Sequence, residues 1–127
     1  MSSLFLRKMF IMEKFSFVFL IREDTCWNQL FSHVDNLKKS SDEVGNIAVV
    51  AVGTALLSCL RFTNLETIKE TISRLSDEGT QFYLCINTMS RYGIKEDMLL
   101  PQIAIAHEGG LLKVAKLESM GYHQVVL

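Results

Sequence analysis

The chain has 127 residues, one proline, 49% hydrophobic and 21% charged residues and a formal net charge of −1, which suits one domain with its own core and excludes a disordered or low-complexity polymer. Its basic clusters are no larger than pairs such as Arg7-Lys8 and Lys38-Lys39, so there is no electrostatic footprint for nucleic acid and no direct nucleic-acid partner is expected. The longest apolar stretch, Ile47 to Leu60, contains Gly53 and falls short of the roughly 20 residues a membrane span needs, so no membrane association is expected.

The opening "MSSLFLRKMFIMEKFSFVFLI" is basic and apolar, but Glu13 and Lys14 interrupt it and no small-residue cleavage site follows, which argues against a signal peptide. Residues 1–12 are read as an N-terminal extension, with Met9 or Met12 as alternative starts, and residues 13–127 as a single domain. Lys14 to Arg22, "KFSFVFLIR", is short and rich in aromatic and β-branched residues, a first strand. It runs into Glu23-Asp24-Thr25, which can cap a helix, and Trp27, Leu30, Phe31, Val34 and Leu37 then form one apolar stripe. The polar "KKSSDEVGN" is a turn.

"IAVVAV", Ile47 to Val52, lacks alternation, as expected of a parallel strand covered on both faces, and Gly53 ends it. Thr63 with Glu66 reads as a capping box, and Leu65, Ile68, Ile72 and Leu75 as the inner face of a helix that stops at Gly79. Its charges, Glu66, Lys69, Glu70 and Arg74, are read as a solvated face. "QFYLCI" is a third strand, Gln102 to Ala106 a fourth and "HQVVL" a fifth, with a helix opened by Gly109-Gly110, running through Met120 and closed by Gly121. Strands and helices alternating in this way predict an α/β fold, a three-layer α/β/α sandwich with a mostly parallel sheet of about five strands.

Cys26, Cys59 and Cys85 are odd in number and widely spaced, which fits neither a disulfide framework nor a C-x-x-C motif and points to a reducing cytoplasm. Ligands in open α/β sheets bind beyond the carboxyl ends of the strands, where Gly53, Cys85 and His107 fall. Of these Cys85 is the nucleophile. A free thiol is only about 3% ionised at pH 7, and a helix N-terminus lowers its pKa. Asn87, Thr88 and Ser90 are helix-starting residues and Arg91 to Gly93 resembles a helix end, so Cys85 is expected just before a short helix. Arg91 can add positive charge if the chain folds back, and His107 can tune the thiol from a neighbouring strand end. Packing is the competing reading, and spacing by itself favours it, because unpaired cysteine behaves as a small buried hydrophobe. Cys26 and Cys59 lack a comparable setting and are read as packing. There is no phosphate-binding loop or dinucleotide fingerprint, and "HEGGL" lacks the second histidine of a zinc motif. No cofactor and no metal are expected.

Taken together, "QFYLCINTMSRYGI" and "LLPQIAIAHEGGLLKVAKLESMGYHQVVL" resemble the small DsrE/DsrF-like proteins of the YchN-like sulfur-relay superfamily. The matching positions are Cys85, Asn87, Thr88, Gly93, Ile94, Gly110, Gly121 and Tyr122, and the likeness extends in outline from about residue 14. The resemblance implies the three-layer fold, a cytoplasmic location and a homo-oligomer, as dimer, trimer or hexamer. It further implies a cysteine, here Cys85, that accepts sulfane sulfur as a persulfide and passes it from a donor protein to an acceptor. Many relatives carry a polar residue, often His, before the glycine that ends the second strand; here it is Val52. A non-catalytic oligomeric interaction module of the same fold is the alternative.

Overall fold

The computed structural model describes residues 14–62 and 66–127. Five strands form one sheet: β1 (Phe15–Ile21), β2 (Val44–Ala51), β3 (Gln81–Cys85), β4 (Ile103–Ala106) and β5 (Tyr122–Val126). Their order is β4-β3-β2-β1-β5, and every neighbouring pair is parallel. Helices α1 (Trp27–Lys38), α2 (Glu66–Asp77), α3 (Ile86–Tyr92) and α4 (Gly110–Ser119) connect them, with 3₁₀ turns at Asp24–Cys26, Gly53–Cys59 and Glu96–Met98. The expected α/β sandwich is therefore observed, with the sheet wholly parallel among the described residues.

The non-alternating run in β2 is explained by what covers it. Ile47, Val49 and Ala51 join Phe19, Ile21, Phe82 and Leu84 in the larger core, under Trp27, Leu30, Phe31 and Val34 of α1 and Ile72 and Leu75 of α2. Ala48 and Val50 point the other way, joining Val18 and Leu20 beneath Val114 and Leu117 of α4. Both faces are thus dry, and a strand dry on both faces has no position for a polar residue. Trp27 shows how the thicker layer closes: its indole N–H donates to the Ala55 carbonyl at 3.0 Å, so the ring is buried with its one polar atom satisfied.

Two elements differ from the sequence reading. β2 starts three residues early, at Val44 within the polar stretch, because Phe15 pairs with Val44 before a register shift carries Phe17 to Ile47. Ladder pairing needs only backbone groups, so a polar run at a sheet margin can extend a strand. The charges of α2 are also not simply solvated. Arg74 reaches Asp35 of α1 at 3.2 Å and Glu78 at 3.4 Å, and Lys38 pairs with Glu78. These exposed pairs link the two helices at their surface, and each contributes about 0–1 kcal/mol. Thr63 of the expected capping box, Leu65 and the extension at 1–12 lie outside the described residues. Among the described residues no helix is long and apolar enough to cross a membrane.

The chain winds from β1 through β4 toward one edge, then α4 carries it back across the opposite face to β5 beside β1. The first turn of α4 thereby rests over the carboxyl ends of β2 and β3. That placement builds the site.

Candidate functional site

Cys85 is the last residue of β3 and the residue before α3, with extended backbone angles of φ −62° and ψ 127°. Gly93, in the left-handed conformation, closes α3 as the sequence suggested. The Cys85 side chain points to the α4 side of the sheet, where the amide of Gly110 donates to Sγ at 3.1 Å. So close an approach is possible only because residue 110 is glycine. A Cβ there would lie 2.6 Å from Val52 Cγ1 and 3.1 Å from Cys85 Cβ.

Thr88 ties a second strand end to the thiol. Its Oγ1 accepts the Gly53 N–H at 3.2 Å, which leaves the hydroxyl proton for Cys85. Gly53 adopts a positive φ of 57° and sits so near β1 that a Cβ would meet the Arg22 carbonyl at 2.9 Å. Burial pushes the Cys85 thiol upward, yet the amides of Thr88, Gly110 and Asn87 and the Thr88 hydroxyl outweigh it, and the pKa falls below the ordinary thiol value. Hydrogen bonds donated to the charged form are the cause. Cys59 makes the contrast. Fully buried, with Asp24 adding negative charge nearby, it is pushed far up and stays a neutral thiol. Its Sγ faces the Ala55 carbonyl at 3.8 Å.

A cleft of about 610 Å³ opens over Cys85, lined among others by Val52, Gly53, Asn87, Thr88, Arg91 and Gly110. Its outer wall carries Tyr92, Leu111 and Leu112, exposed by 50%, 72% and 51%, a concentration of apolar surface at one mouth. A second cavity of about 300 Å³, between Lys14, Lys38 and Glu78 at the other end of the sheet, is lined by no cysteine.

The model of the DsrE/DsrF-like family matches residues 30–127. The chain belongs to this family. Among solved structures it is similar to the protein of unknown function MTH1491 from Methanobacterium thermoautotrophicum, with 25% identity, a TM-score of 0.81, and 90% of this chain and 100% of that one covered. It also shares the fold of the ychN protein from E. coli, at 16% identity and a TM-score of 0.67, over 91% of this chain and 98% of that one. No curated protein matches the sequence.

In this DsrE/DsrF-like chain, six of the seven residues singled out from sequence, namely Cys85, Asn87, Thr88, Arg91, Gly53 and Gly110, line one cleft. His107 does not. It is exposed, and Glu108 beside it takes the place on the wall, held to Lys116 at 3.3 Å. The turn after β4 directs residue 107 outward so that Gly109 and Gly110 can come in under the sheet ends. Sequence reasoning missed Arg22, Tyr92, Glu108, Leu111 and Leu112. Arg22 was accessible to the same rule that selected Gly53 and Cys85, since it immediately follows β1. Cys26 is half-buried against the main core, and Cys59 is wholly buried in it, as the packing reading expects.

Proposed function

We propose that this protein is a sulfur carrier in which Cys85 takes up sulfane sulfur as a persulfide and yields it to an acceptor thiol on a partner. The Cys85 thiolate attacks the outer sulfur of a donor persulfide, a new S–S bond forms, the donor's S–S bond breaks, and the donor leaves as a thiolate. No external oxidant or reductant is consumed. The observation that carries the reading is the Gly110 amide, 3.1 Å from Sγ at the floor of an open cleft. It favours an anionic sulfur there in both the free and the loaded state. Membership of the DsrE/DsrF-like family supports the same chemistry. A cytoplasmic setting belongs to the proposal, supported by three cysteines that are all unpaired.

The test is intact-mass analysis after treatment with inorganic polysulfide. A gain of one sulfur that disappears in Cys85→Ser is expected. A gain that survives the substitution, or none at all, overturns the assignment.

The proposal includes a homo-oligomer, supported by Tyr92, Leu111 and Leu112 standing exposed around the cleft. A second copy packed there would shield a labile persulfide and leave a single approach for the partner. The interaction-module alternative shares this surface, and separation of the two rests on the reactivity of Cys85.

A further inference from the structure

The register of the sheet places Arg22 in the same row as the thiol, two strands away. Ile21 pairs with Ala51 and Ala51 with Leu84, so the next row across the strand ends is Arg22, Val52, Cys85 and Ala106, the last pair being direct. Arg22, Val52 and Cys85 all line the cleft. With neighbouring strands about 4.8 Å apart, the Arg22 backbone is roughly 10 Å from that of Cys85, within reach of an extended arginine. Arg91, in the last turn of α3, lines the same cleft. Neither guanidinium has an ion-pair or hydrogen-bond partner among the described residues. Glu108, the one carboxylate on the wall, is already held by Lys116.

An unpaired guanidinium on a cleft wall is a planar fork of donors suited to an oxyanion. Two of them on the wall of the cleft that holds Cys85 suit a substrate that carries oxyanion oxygens as well as a sulfane sulfur. We propose that the cleft takes a small sulfur oxyanion bearing a sulfane sulfur, thiosulfate being the simplest, and that Arg22 and Arg91 select it. This rests on the carrier reading of Cys85. The Cys85 thiolate attacks the outer sulfur of thiosulfate, a Cys85 S–S bond forms, the S–S bond of thiosulfate breaks, and sulfite departs with the electron pair. Charge and redox state balance without a co-reactant. The arginines hold the sulfonate oxygens, where the leaving group's charge accumulates, and Val52 between Arg22 and Cys85 offers no polar group to divert them.

The experiment compares two donors on the full chain by intact mass and sulfite assay: thiosulfate, and inorganic polysulfide, which carries sulfane sulfur without an oxyanion. Thiosulfate is expected to add one sulfur to Cys85 with an equal amount of sulfite released. Arg22→Ala and Arg91→Ala should each slow that loading about tenfold and slow polysulfide loading clearly less, since polysulfide is an anion too but has no sulfonate oxygens for the guanidinium fork. Loading by polysulfide alone, or arginine variants that load from both donors at the wild-type rate or slow both equally, overturns the oxyanion proposal and leaves the carrier reading in place. Loading by neither donor overturns both.

Discussion

Replacing Gly110 by alanine tests whether the close approach of α4 to the thiol sets its reactivity. Gly110 is not among the glycines with positive φ, so its backbone suits alanine and the added methyl is the whole perturbation. That methyl would sit 2.6 Å from Val52 Cγ1, closer than side chains coexist, and a tight 3.1 Å from Cys85 Cβ, with Sγ at an ordinary contact of 3.5 Å. Overpacking of this kind costs about 1–3 kcal/mol, partly offset because alanine favours a helix over glycine by up to about 1 kcal/mol. A net loss of about 1–2 kcal/mol is expected in urea denaturation. The cheapest relief is for α4 to lift from the strand ends, which withdraws the 110 amide from Sγ. Losing one hydrogen bond to a charged sulfur raises the Cys85 pKa, read from alkylation rates against pH. Adding Val52→Ala removes the nearest obstacle, so the double variant should recover stability and pKa together. If Gly110→Ala leaves the thiol pKa unchanged, the amide does not tune it. If the two substitutions add within about 0.5 kcal/mol, the Val52 contact is not what resists the methyl.

Cys85→Ser should fold normally, because Ser is nearly isosteric and the thiol already faces hydrogen-bond donors; circular dichroism showing unfolding would favour a packing role. Cys59 should resist alkylation in the native protein and react only on addition of denaturant, and modification at a rate matching Cys85 would contradict its burial. Because the folded Cys85 pKa is lowered, its contribution to stability is lost as pH falls through the folded value and is complete above the free-thiol value of 9.0. The stability gap between wild type and Cys85→Ser should therefore widen as pH rises toward 9.0, and a pH-independent gap would mean that the amides do not favour the thiolate. Light scattering at micromolar concentration should give a multiple of 14.4 kDa; a monomer would leave Tyr92, Leu111 and Leu112 uncovered and remove the shielded site.

The layers of the fold were legible because burial writes itself into residue type. β2 is buried on both faces, and its run from Ile47 to Val52 shows it; α1 is buried on one, and its stripe from Trp27 shows that. The start of β2 was not legible, since Val44, Gly45 and Asn46 are held by backbone pairing and by the Ser16 hydroxyl, which accepts the Asn46 N–H at 3.0 Å. Such a contact leaves no apolar signature. Nor could local pattern separate His107 from Glu108 as the wall residue, because one step along a turn reverses direction and depends on where α4 must begin.

The site was legible one strand at a time and not across strands. Cys85 with its following helix is a local pattern, and so is the Gly109-Gly110 opening of α4. That Gly110 serves the thiol is fixed by a crossover 25 residues later in the chain, over a sheet whose order no single segment encodes. The same holds for Arg22. As a strand-end residue it is ordinary, and it acquires meaning only when the parallel register aligns it with Val52 and Cys85. Val52, which stands where many relatives carry a polar residue before the glycine that ends the second strand, has a different consequence once that row is known. A histidine at 52 would stand between Arg22 and the thiol and would bring a larger side chain to the place where Val52 Cγ1 already lies 2.6 Å from where a Cβ on residue 110 would be. An apolar residue there lets the Gly110 amide reach the sulfur and, on the oxyanion proposal, puts no polar group between Cys85 and Arg22, two strands away.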